Sequence, residues 1–421
     1  MHETPLTALV LSGGGARAAY QVGVLRALVH LRRGALGPRA QLGNPFGIIV
    51  GTSAGAINAA ALAAHADRFE GAVEVLAKVW QNFAAEQVYR ADSLGVIRSG
   101  AQWLTMLSMG WLIARWRLSR PLSLLDNRPL AALLQRLVPL ARVPVMLSEG
   151  YLSAWAVTAS SYTSGEHVTF FDAAVPVAPW MRSQRLAVPQ RIGYGHLLAS
   201  SAIPFVFPSV SLQAGGQPGW FGDGSMRQTA PLSPAIHLGA QRLVIIGAGR
   251  MQEPAGRVVE AGGYPNLAQI AGHAMSSIFL DALAVDVERM RRINRTLALL
   301  PDSALADSEL RPLEALVISP SQRIDDIAAR HLHALPLPVR SLLRGVGVGT
   351  SGAQATGDAA TTGVQGAALA SYLLFEAPFT RELIALGETD TLARQDEVLR
   401  FFGWDTAPAR TLRGGPDIVL P

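Results

Sequence analysis

Short unbroken apolar runs alternate with stretches of helical periodicity over the first 250 or so residues. Thr7–Leu11 is apolar and ends in Ser12-Gly13-Gly14-Gly15, the pattern of a buried strand entering a tight turn. Ala18–Leu31 follows with helical spacing. Phe46–Val50 reads as a second buried strand, again stopped by glycine, and the alanine-rich Ala54–Ala64 as a buried helix. Phe69–Val88 is amphipathic, with Val73, Leu76, Val79 and Trp80 on one side. Trp155–Ala159 and Leu243–Ile246 have the character of core strands, and Val168–Phe171 that of a strand at the sheet's edge. Strands alternating with helices predict a mostly parallel sheet covered on both faces.

Beyond Arg250 the character changes. Asn266–Leu300 predicts a long helix or helix pair, Ala315–Ser319 one more strand, and Ala367–Trp404 a helical tail. A Gly/Ala/Thr-rich stretch over 345–366 has the composition of a flexible loop. The expected organisation is an α/β domain over 6–250 and a mainly helical extension over 251–421.

Composition narrows the class. About half of the 421 residues are hydrophobic and 16% are charged, which fits a packed globular protein. The formal charge is +5, and Lys78 is the one lysine, so nearly all positive charge is arginine. Arginine pairs bidentately with phosphate, which suits an anionic surface such as a phospholipid headgroup layer. A mildly basic solvated surface is the plainer explanation. Nucleic acid fits less well, since no basic run with interleaved aromatics occurs. With no cysteine, disulfides, thiolate chemistry and cysteine-ligated metals are excluded. Met1–Thr7 has no signal pattern, and an untargeted cytoplasmic protein is the simplest expectation. Trp103–Trp116 is too short to span a bilayer. Its tryptophans beside Arg117 and Arg120 suit a peripheral membrane contact, and equally a core helix with a basic end.

Three glycine-rich motifs carry the chemistry. Gly51-Thr52-Ser53-Ala54-Gly55 lies between an apolar strand and an apolar helix, the context of a nucleophile elbow. Gly51 and Gly55 supply the small neighbours needed where strand and helix approach, and the helix N-terminus favours a developing anion at Ser53. A turn with a bystander serine is the alternative. Ser12-Gly13-Gly14-Gly15-Ala16-Arg17-Ala18 is also a strand-to-helix turn, whose N–H groups could form an oxyanion hole. A dinucleotide fingerprint is disfavoured, because no Asp or Glu occurs between Glu3 and Asp67 to hold a ribose. No Gly-Lys-Ser/Thr follows, which disposes of a P-loop. In Gly222-Asp223-Gly224-Ser225 an aspartate is flanked by glycines, which suits a placed carboxylate and, alone, an ordinary Asp-Gly turn.

In this order the three motifs resemble the patatin-like phospholipase family. His196–Pro208 is similar to that family's Ala-Ser-X-Ala-X-Pro-X-X-Phe segment, and Ser123–Asn127 resembles another. The resemblance covers about Leu6–Gly247 and implies a three-layer α/β/α fold. It also implies a serine–aspartate dyad that hydrolyses carboxylic esters of lipids: Ser53 as nucleophile, Asp223 as base, and Gly13, Gly14 and Gly15 as oxyanion donors. Arg17 would fix the glycine loop or its charge, and Gly224 would support the aspartate turn. Two positions depart from the family pattern: Ala18 where glycine often follows the arginine, and Ser225 where alanine or glycine is usual. A transacylase or thioesterase with the same dyad, and a non-catalytic lipid-binding protein, are the rivals. A Ser-His-Asp triad would need one of nine histidines, of which His196 is best placed in sequence. No cofactor or metal is expected: no histidine and carboxylate cluster has ligand spacing, and His331 and His333 lack obvious partners.

Overall fold

The computed structural model describes residues 5–37, 42–90, 123–251, 265–306, 308, 310–349 and 366–405. Trp103–Trp116 and most of the 345–366 loop lie outside them. The strands are β1 (Thr7–Leu11), β2 (Ile48–Thr52), β3 (Ala154–Ser161), β4 (His167–Ala173), β5 (Met181–Arg182), β6 (Arg185–Pro189), β7 (Val210–Ala214), β8 (Gln217–Asp223), β9 (Arg242–Ile246) and β10 (Glu314–Ile318). All join one sheet of order β10-β9-β1-β2-β3-β4-β6-β5, with β8 added on β3 and β7 on β8.

From β10 to β3 every neighbouring pair is parallel. β1, β2 and β3 are buried along their whole length, which is why they read as continuous apolar runs rather than as alternation. β4 is not an edge strand. It runs antiparallel to β3 and has β6 on its far side. β6, Arg-Leu-Ala-Val-Pro, is short and bounded by an arginine and a proline, so the sequence gives no long apolar run to announce it.

Successive residues on each strand face opposite layers, and residues two apart share one. Leu9, Leu11, Ile49, Trp155 and Val157 meet one set of helices: α1 (Ala19–Leu36), α2 (Ala54–Ala63) and α3 (Phe69–Gln81). Further along the chain come α4 (Arg128–Leu137), α5 (Val143–Ser148), α6 (Tyr194–Ser200) and α7 (Ser233–His237). Ala8, Val10, Ile48, Val50 and Leu243 face the other layer, built on α7 and on part of the long helical stretch after residue 265. That stretch comprises α8 (Leu267–Ser276), a π turn (Ser277–Asp281) and α9 (Ala282–Leu297). The fold is α/β/α with a mostly parallel sheet.

The remaining helices are α10 (Asp302–Ala306), α11 (Ile324–His331), α12 (Leu337–Gly345), α13 (Ala367–Ser371), α14 (Ala377–Leu392) and α15 (Gln395–Phe402). The C-terminal region is mainly helical, as its periodicity predicts, but it is built into the first layer. α14 packs along α1, and β10 extends the sheet beside β9.

One detail of register positions the site. β2 occupies one edge of β3 only as far as Thr52, which pairs with Thr158. β8 takes over the same edge immediately beyond, with Asp223 paired to Ala159. The residue after Thr52 and the last residue of β8 are thereby brought to adjacent positions along a single strand.

Candidate active site

Ser53 sits between β2 and α2 with φ 55° and ψ −129°, a backbone conformation rarely taken by a residue with a side chain. The strand must reverse into the helix within one residue, and the close approach leaves no room for a neighbouring side chain. A Cβ on Gly51 would lie 2.5 Å from the Ala56 Cα, and one on Gly55 would collide with the carbonyls of Leu11 and Ser12. The strained turn is held on both sides. The Ser53 N–H donates to Ser200 Oγ at 2.8 Å, and its carbonyl accepts from the Ala56 N–H at 2.9 Å.

The Ser53 hydroxyl donates to Asp223 Oδ2 at 2.6 Å. The other carboxylate oxygen accepts the Ser225 N–H at 2.8 Å. Asp223 is fully buried, and burial pushes its carboxyl up to about 7, against the smaller lowering effect of these hydrogen bonds. Its backbone is anchored to the segment that carries Ser200: the N–H groups of Asp223 and Gly224 donate to the carbonyls of Ala202 and Ser200, both at 3.0 Å. Gly224 abuts the Thr158 carbonyl, where a Cβ could not fit.

The glycine turn closes the site from the other side. A Cβ on Gly13 would stand 3.1 Å from the Ser53 Cβ, so this loop lies directly on the serine. Gly15 has φ 56° and backs onto the Tyr372 carbonyl, which accepts the Ala16 N–H at 3.1 Å. Among the described residues, the N–H groups of Gly13, Gly14 and Gly15 have no acceptor.

The patatin-like phospholipase family model matches residues 9–236, more than half of the chain. The chain belongs to the patatin-like phospholipase family. Among solved structures it is similar to VipD from Legionella pneumophila, with 12% identity, a TM-score of 0.31, and coverage of 91% of this chain and 67% of that one. It is also similar to the type III effector protein ExoU, with 16% identity, a TM-score of 0.26, and coverage of 96% and 90%. No curated protein matches it.

In this patatin-like chain Arg17 turns away from the serine. Its side chain is buried and reaches into the C-terminal region: Nη2 pairs with Asp325 Oδ1 at 2.6 Å and Nε donates to Ser371 Oγ at 2.7 Å. Its guanidinium carbon lies 4.1 Å from the Tyr372 ring centroid. The arginine therefore fastens the glycine turn to α11 and α13.

His196 is not part of the Ser53–Asp223 pair. Nδ1 accepts the Gly193 N–H at 2.9 Å, Nε2 meets the Gln190 side-chain amide at 2.6 Å, and the ring packs edge-on against Phe170. Burial lowers its pKa. The histidine nearest the aspartate turn is His167, whose spacing in the sequence gives no hint of this. It is buried, and Nε2 donates to the Gly224 carbonyl at 3.1 Å. Burial depresses it to about 4, so it stays neutral at working pH. Ser200 was also not singled out by spacing, although it stands inside the Ala-Ser-Ser-Ala segment. No group of three or more His, Asp or Glu side chains among the described residues is placed to hold a metal.

A cavity of about 310 Å³ opens from Ser53. Ser53, Ile57, Ala61 and His65 line it at intervals of four, one face of α2 continued past its end. α3 contributes Leu76 and Val79, and α4 contributes Leu134. The walls are overwhelmingly apolar, with His65 and Arg68 at the end remote from the serine.

Proposed function

We propose that the protein is a serine hydrolase of lipid carboxylic esters, working through Ser53 and Asp223. The observation that carries this reading is the 2.6 Å bond from the Ser53 hydroxyl to a buried carboxylate at the head of an apolar cavity. Asp223 removes the Ser53 proton as Oγ attacks the acyl carbonyl. The N–H groups of Gly13, Gly14 and Gly15 supply donors for the developing oxyanion. The C–O bond of the ester breaks, the alcohol leaves with the proton held by Asp223, and an acyl-serine remains. Water, deprotonated by the same carboxylate, then releases the fatty acid and regenerates Ser53.

The cavity takes the acyl chain. At 1.5 Å per helical residue, the face from Ser53 to His65 is about 18 Å long. One leaflet of a bilayer's hydrocarbon core is about 15 Å deep, the depth that a membrane acyl chain fills. A long-chain phospholipid ester matches this length.

Purified parent, Ser53→Ala and Asp223→Ala are to be compared on a short-chain chromogenic ester and on mixed phospholipid vesicles. Loss of an activity in both variants, with unchanged thermal melts, is the expected result. An active parent whose Asp223→Ala variant keeps its rate would place the base elsewhere.

A further inference from the structure

The rod formed by α8, the π turn and α9 runs 31 residues, from Leu267 to Leu297, and is long and apolar enough to cross a bilayer. Its inner face excludes that role. Phe279, in the π turn, packs on Tyr372 with ring centroids 4.9 Å apart and lies against Gly13. Leu283, Val287 and Met290 are buried under the sheet, and buried Asp286 accepts the Leu232 N–H at 3.0 Å. The rod is fixed along one side and lies on the protein.

Its outer face is unlike an ordinary solvated surface. Leu267 is 64% exposed, Ile270 49% and Val285 52%, and just past the rod Leu299 is 84% exposed. Arg292, Arg295 and Leu299 continue the same side at spacings of three and four. Among the described residues Arg291, Arg292 and Arg295 have no acidic partner, whereas Arg289 is held by Asp286 at 3.2 Å. Asp281 and Glu288 are the acidic residues exposed on the rod. An apolar stripe ending in three arginines is complementary to a layer that is anionic at its surface and hydrocarbon beneath.

We propose that this face docks the protein on an anionic lipid surface. Leucine, isoleucine and valine enter the boundary between headgroups and acyl chains, while the arginine stems lie along it and the guanidinium groups meet phosphate. Because the inner side of the π turn touches Gly13, docking brings the lipid layer to within one helix diameter, about 10 Å, of the glycine turn. The choice of lipid as occupant rests on the hydrolase reading, but binding is measurable without turnover.

The test uses the full-length Ser53→Ala protein and sedimentation with vesicles of phosphatidylcholine alone, or with about one-third phosphatidylglycerol. Preference for the anionic vesicles is expected. Arg291→Ser/Arg292→Ser/Arg295→Ser should weaken binding about 100-fold, since each arginine near an anionic surface contributes about one power of ten or a little less. Leu267→Ser/Ile270→Ser/Leu299→Ser should weaken it comparably. In the Ser53 background both triple variants should keep the parent melt and soluble-ester rate. Failure of the parent to bind anionic vesicles, or unchanged binding by both triple variants, overturns the proposal. So does a concentration-dependent dimer that the apolar variant abolishes without altering vesicle binding, which would assign the face to a second copy. If vesicles bind as expected but no ester is ever cleaved, the hydrolase reading fails and the docking face stands.

Discussion

Burial of Asp223 has two consequences that pull in opposite directions. A carboxyl held at about 7 is a competent base only above that pH. The kcat/KM for a soluble ester should therefore rise tenfold per pH unit below about 7 and level off above it, with one ionisation in the profile. The same shift weakens the fold. Unfolded, the carboxyl releases its proton near 3.8, whereas folded it holds the proton to about 7. The stabilisation is full below the lower value and is lost as pH rises through the upper one. Asp223→Asn should thus melt higher than the parent at pH 8, by at most about 4 kcal/mol, and lose that advantage as the pH is lowered toward 4. Thermal melts across this range check it; an advantage that grows toward low pH would contradict the assignment. At this scale the sequence was informative where glycine reports geometry. Gly51 and Gly55 mark the turn at Ser53, and Gly222 and Gly224 mark the aspartate. It was silent on Ser200 and His167, whose hydrogen bonds join segments remote in the chain and need no distinctive neighbours.

Among elements, the links between the glycine turn and the C-terminal helices matter most. Arg17 is buried with Asp325 as its ionic partner, and Asp325 is itself only partly covered. Asp325→Ala leaves that guanidinium uncompensated and should cost about 2 kcal/mol, less than a wholly buried pair. It should also lower kcat on a soluble ester more than it raises KM, because the turn it frees carries the proposed oxyanion donors. Urea melts and initial-rate kinetics test both halves. The long apolar strands were legible, since burial on two faces writes itself as an unbroken run. β6, β7 and β8 were not, because β7 and most of β8 are partly exposed and β6 is capped by Arg185 and Pro189. That blind spot is why β4 reads as an edge and lies inside the sheet. It also hid the strand that ends on Asp223.

Across the whole molecule, the proposed acyl cavity should set which chains fit. Ala61 stands about 12 Å along α2 from Ser53, two-thirds of the way to His65. Ala61→Phe should fill the lumen there and leave esters of about four carbons unaffected. Esters of 14 carbons or more should slow at least tenfold, read as the ratio of kcat/KM across a chain-length series. An unchanged ratio would mean that acyl chains take another path. The sequence showed both the α/β region and the helical tail. It did not show that they share one sheet and one core, because the contacts of α14 with α1 and of β10 with β9 are long-range packing choices.

The shared edge of β3 separates the spacing of Ser53 and Asp223 from the length of chain between them. Ser53 and Asp223 are 170 residues apart in sequence, yet Ser53 follows the rung that Thr52 makes with Thr158 and Asp223 sits on the next rung, paired with Ala159 of the same strand. Loops and helices inserted or deleted in that interval leave the rungs where they are. Such a chain can be re-tailored for new substrates by rewriting its intervening segments while the Ser53–Asp223 distance stays constant. Slipping β8 by a single rung, by contrast, would silence it however intact every side chain remained.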